Sequence, residues 1–104
     1  VRIIPVAAIL AVIACASDAR AGDVERGRAL AQASCGACHA IGPTGASAMP
    51  AAPPFRELHR RYPVEQLAEA LAEGISTGHA AMPEFRLAPA QIEALIAYLK
   101  TLER

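Results

Sequence analysis

The stretch Ser34-Cys35-Gly36-Ala37-Cys38-His39 sets two thiols three positions apart and follows the second at once with an imidazole. Such a pair can serve a zinc site, a redox disulfide or the covalent attachment of a haem. Structural zinc wants four sulfur or nitrogen ligands, usually as two pairs. Beyond Cys35, Cys38 and His39 only the scattered His59 and His79 remain, apart from Cys15 in the apolar N-terminal run, and adjacent Cys38 and His39 are badly placed to converge on one tetrahedral ion. A thioredoxin-type redox pair needs a β-strand leading into it, whereas the residues before Cys35 are patterned as helix. Cys-x-x-Cys-His is the attachment pattern of c-type haem. Two thiols at this spacing reach the two vinyl groups on one edge of the macrocycle, and the histidine that follows falls under the iron as proximal ligand. One covalently bound haem c is the expected cofactor, anchored by Cys35 and Cys38 with His39 on the metal.

The sixth position on the iron has four candidates: Met49, His59, His79 and Met82. Met49 lies ten residues past His39, in a loop that must round the haem edge almost at full stretch, and it reads as core filler. His59, beside Arg60 and Arg61, reads as a solvated surface residue, and His79 as a loop cap or a solvent-facing side chain. Met82 follows a helix, between Gly78 and the stiffening Pro83, with enough chain to return over the ring. His39 and Met82 are therefore the expected axial ligands. Full ligation leaves no open site for oxygen or peroxide and suits outer-sphere electron transfer, with the thioether raising the potential. Phe55, Leu67, Leu71, Ile75 and Phe85 are expected to line the haem pocket, and Tyr62, Arg56, Arg60 and Arg61 to include the partners of the propionates. Ala37, Ala40, Ala80 and Ala81 would rim the exposed haem edge and give a small, transient docking surface.

The elements that must position these groups are short. Residues 1–21 read as a signal peptide: one early charge, an apolar run over 3–14, and the small-x-small pattern Ala19-Arg20-Ala21. The run is 12 residues, against the about 20 that a spanning helix needs. Export to the periplasm is expected, with no membrane span once the signal is removed; an uncleaved signal, or lipidation of Cys15 in Val12-Ile13-Ala14-Cys15, is the alternative. The remaining 22–104 form one small domain with four aromatic residues and no tryptophan. A chain of this size rarely builds a sufficient core unaided, and with only Cys35 and Cys38 left it has no disulfide framework. A bound group must fill its middle.

Helical patterning accounts for the rest. A first helix is expected over 23–33, with Asp23 as N-cap and Val24, Gly27 and Ala31 on one face beside Leu30. Residues 40–54 are loop, broken by Gly42, Pro43, Gly45, Pro50, Pro53 and Pro54. A short helix is expected over 54–61. A third runs about 64–73, with Val64, Leu67, Ala68, Leu71 and Ile75 aligned and Gly74 as its stop. The last begins at Pro89 and carries Ile92, Leu95, Ile96, Leu99 and Leu102; Ala88 is a poor cap for it, at a cost of about 1 kcal/mol. Lys and Arg number 8 against 9 Asp and Glu beyond residue 21, which gives no sign of nucleic-acid binding.

Gly27 eight residues before Cys35, the Cys35–His39 motif, "GHAAMPEF" at 78–85 and "IEALIAYLKTL" at 92–102 together resemble a small bacterial class I c-type cytochrome. The resemblance implies an all-α class I fold: N- and C-terminal helices crossing near right angles, about three to five helices around one haem. It implies that Gly27 permits a close crossing against Leu95 and Tyr98. The family often has an aromatic residue one turn later, where this chain has Ala31, so a less tightly packed crossing is expected. It also implies that the carbonyl of a proline, Pro53 or Pro54, accepts the His39 ring N–H. The function implied is that of an electron carrier, not an enzyme, expected to be monomeric and to exchange electrons with a dehydrogenase, an oxidase or another cytochrome. A dedicated subunit of one such complex is the alternative, and a ligand sensor or peroxidase a more distant one.

Overall fold

The computed structural model describes residues 6–74 and 82–104, with side chains from Ala19 onward. Ile75, Gly78, His79, Ala80 and Ala81 lie outside the described residues, so the expectations placed on them go no further here. Among the described residues there are three α-helices, α1 (Val6–Ser34), α2 (Leu67–Glu73) and α3 (Pro89–Thr101), with 3-10 turns at Phe55–Arg60 and Val64–Gln66 between the first two. Among the described residues there is no strand, and the all-α expectation holds. None of the described helices is long and apolar enough to cross a membrane.

The first helix does not start at Asp23. Alanine-rich sequence upstream favours helix and contains no proline between Val6 and Ser34, so α1 runs through Asp23, and also through the junction after Ala21. Asp23 pairs with Arg26 and Glu25 with Arg28, each three residues on. These exposed pairs brace the helix surface instead of capping its end. What ends α1 is the attachment motif itself.

The expected helix at 54–61 is a 3-10 turn that buries Phe55 and Leu58. The third helix begins as a 3-10 turn at Val64 and becomes α-helical at Leu67; Val64 is 1% exposed and Leu71 is buried. Gly74 terminates it as anticipated, at φ +100.

α1 packs chiefly on α3, and Gly27 is where they meet. A Cβ there would sit 1.9 Å from the Ala94 carbonyl oxygen and 2.8 Å from Tyr98 Cβ. Tyr98 is at the crossing as expected, but the nearest backbone belongs to Ala94, with Leu95 turned toward the cavity described below. Ala31 is completely buried. The core runs from Ala31 through Phe55, Leu58, Val64 and Leu71 to the stripe Ile92, Leu95, Tyr98, Leu99 and Leu102 of α3.

At the start of α3, Ala88 is extended and has no side-chain acceptor, as its sequence implied. Gln91 recovers half of the loss: its Oε1 accepts from the Ala88 backbone N–H at 2.9 Å. Ala88→Ser supplies the missing acceptor and completes the reciprocal pair. It is expected to raise the unfolding free energy by about 1 kcal/mol, read as a higher denaturant midpoint at unchanged slope.

Candidate functional site

The motif continues α1 as one further turn. The N–H groups of Cys35 and Gly36 reach the Ala31 carbonyl at 2.8 and 2.9 Å, and those of Cys38 and His39 reach the Cys35 carbonyl at 3.2 and 2.9 Å. This turn brings Cys35, Cys38 and His39 to one wall of a single cavity. Both thiols are free and half-buried, and burial pushes the Cys35 thiol above its usual range, which keeps it protonated.

The loop after the motif is tied back to it. Met49 N–H donates to the Cys38 carbonyl at 3.1 Å, Ala40 N–H to Ser47 Oγ at 3.0 Å, and Phe55 N–H to the Ala40 carbonyl at 2.9 Å. Tyr98 Oη adds a tie from α3, donating to the Ile41 carbonyl at 2.6 Å. These bonds carry Pro53 to the imidazole, where His39 Nδ1 and the Pro53 carbonyl oxygen are 2.8 Å apart. A carbonyl can only accept, so Nδ1 carries the hydrogen and the neutral ring keeps its lone pair on Nε2. Of the two prolines the sequence left open, it is Pro53 that orients the ring. Phe55 flanks the imidazole, ring centroids 5.0 Å apart at 44°.

The cavity encloses about 550 Å³, inside the range of about 300–1,000 Å³ typical of cofactor sites. Phe55, Leu67, Leu71 and Phe85 line it, and so does Met82, which is half-buried. Leu30, Leu95 and Leu99 line it too. Their apolar periodicity by itself implies helix packing, and their place on the same helical stripes is the signal that marks them for the cavity. Among the described residues no three His, Cys, Asp or Glu side chains converge into a site for a bare ion. The donor set of two thiols, one imidazole and a thioether, on an apolar wall, fits a haem attached through its vinyl groups.

Two expectations need correction. Met49 is not core filler: it is 37% exposed and lies on the cavity rim, held there by its backbone bond to Cys38. His59 is not a solvated surface residue: it is half-buried, and its Nδ1 is shut off from solvent and has no hydrogen-bond partner among the described residues. The arginines also separate. At three residues per turn, Arg61 lies over Leu58 and reaches the cavity, whereas Arg56 and Arg60 fall on other faces. Arg56 Nη1 instead donates to the Gly45 carbonyl at 2.7 Å. Tyr62 joins Arg61 on the cavity wall; burial pushes its phenol up while the Arg61 charge opposes this, so it remains a protonated donor. Of the expected docking rim, Ala37 is exposed and on the cavity, and Ala40 is half-buried.

The family model described as "Cytochrome c" matches residues 24–103. No curated protein and no solved structure gives a match.

Proposed function

The chain belongs to the cytochrome c family, matched over most of its length, and from that premise we propose that it carries single electrons through one haem c bound to Cys35 and Cys38. His39 and Met82 are the axial ligands in this reading. The observation that carries it is the convergence of two free thiols, the His39 imidazole and the half-buried Met82 thioether on a single apolar cavity. When bound, the haem supplies an iron that gains and loses one electron. The chain's own residues do the rest.

His39, fixed by Pro53 and flanked by Phe55, offers Nε2 to the metal without freedom to turn. Met82, half-buried on the same cavity, would offer its thioether as the second ligand, and with both ligands in place the iron would have no position for a substrate. Leu67, Leu71, Leu95 and Leu99 line the cavity with apolar surface that excludes water, a medium that would disfavour the more charged oxidised state of the bound group. Arg61 and Tyr62 offer a cation and a neutral hydroxyl to the propionates at the cavity mouth. Export to the periplasm with loss of residues 1–21 belongs to the same reading, as does docking of redox partners at the Ala37 edge. Carbon monoxide added to the reduced, haem-loaded protein tests it. A carrier with both axial positions filled gives an unchanged spectrum, and ready uptake of the gas would turn the assignment to ligand binding or catalysis.

A further inference from the structure

We infer that Gly74, together with the chain that returns beside it, forms a clasp that determines how firmly Met82 is held over the cavity; the inference rests on the Met82 ligation proposed above. The segment bearing Met82 leaves α2 at Gly74 and is tied back to the same helix by Leu87, whose N–H donates to the Leu71 carbonyl at 2.9 Å. Gly74 has φ +100 and ψ 108, a conformation that a residue with a Cβ adopts only under strain. A Cβ there would also lie 2.5 Å from Glu84 Oε1 and 3.0 Å from Arg86 Nε, so both side chains cover the glycine. Those two alternate with Phe85 and Leu87, which are half-buried on the cavity wall, while Glu84 and Arg86 are exposed.

This alternation makes the clasp a register lock. Where burial alternates residue by residue, as over residues 84–87, a slip of one residue exchanges the inner and outer faces. The Leu71–Leu87 bond and the bare Gly74 surface admit the register that turns Phe85 and Leu87 inward. Met82 stands on the same segment, so the register that seats those two side chains also sets where its sulfur lies. Gly74 is thus a positioning residue, acting on the ligand through the segment packed against it.

An added ligand reads the clasp directly, because imidazole can bind the oxidised iron only when Met82 has left. Its apparent affinity scales with the fraction of molecules in which the methionine is displaced. Gly74→Ala is expected to raise the affinity for imidazole by about tenfold, followed as loss of the methionine–iron charge-transfer band. Gly45→Ala is the control, since Gly45 has a similar φ of +95 with open space around it. It should bind imidazole as the parent does. Glu84→Ala/Arg86→Ala, which leaves the backbone intact, should move the affinity in the same direction by less, and it serves alone if Gly74→Ala cannot be loaded with haem. Parent-like affinity in the clasp variants, or an equal rise in Gly45→Ala, overturns the inference while leaving Met82 as ligand. A parent without the charge-transfer band removes the ligation reading and the inference with it.

Discussion

Met82→Ala is expected to convert the haem-loaded protein from a low-spin to a high-spin or water-ligated form that takes up carbon monoxide when reduced. Met82 is half-buried on the cavity wall, and among the described residues the only other thioether there is Met49 on the rim. Met49 is fastened by its backbone to Cys38, within the motif that supplies His39, which ties it to the motif turn. A thioether favours reduced iron, so its loss should lower the reduction potential by on the order of a few hundred mV, within the span of about 0.8 V that axial ligands command. Optical spectra and a redox titration of parent and variant check both effects. The helices should change little, because Met82 is not part of the buried core cluster that holds them together.

The second large effect concerns stability, and its sign separates local from tertiary control. On helix propensity alone, Gly27→Ala in the middle of α1 should stabilise by about 1 kcal/mol. The crossing dictates the opposite. The new methyl would stand 1.9 Å from the Ala94 carbonyl oxygen and 2.6 Å from its carbon, and these are backbone atoms that no rotamer change can move. The helices must separate, which loosens the packing of Tyr98 and exposes Ala31, now fully buried. Overpacking costs about 1–3 kcal/mol, a substantial share of a total of about 5–15 kcal/mol. A net loss of at least about 1 kcal/mol is expected in denaturant unfolding of the haem-loaded protein. Covalent attachment should survive, since the motif turn bonds to Ala31 and to its own Cys35 and not across the crossing.

The motif, the all-α class and the stripe of α3 were legible because each rests on short-range spacing. So was the stop at Gly74, since a glycine after an apolar-periodic run is a local signal. What escaped the sequence depends on the path of the chain. Pro53 and Pro54 are chemically alike, and only the bonds that tie loop 40–54 to the motif turn decide which carbonyl meets His39. Arg56, Arg60 and Arg61 read as one basic run, but a 3-10 turn spreads them over three faces and brings Arg61 alone to the cavity. With residues 1–21 present α1 starts upstream of Asp23, because the alanine-rich residues before it have no reason to leave the helix; Asp23 is the cap that composition offers once they are removed. Ala94 was overlooked at the crossing because an alanine beside larger stripe residues carries no hydrophobic signal; its backbone, not its side chain, makes the contact.

The most direct test of the central claim is the intact mass, under denaturing conditions, of protein made with the c-type maturation machinery. The account predicts a polypeptide heavier by the mass of one haem, which unfolding does not remove because both attachments are thioethers. Replacing Cys35 and Cys38 by serine should abolish the increment. A parent whose mass is that of the bare chain, with the two cysteines free or joined to each other, would contradict the account.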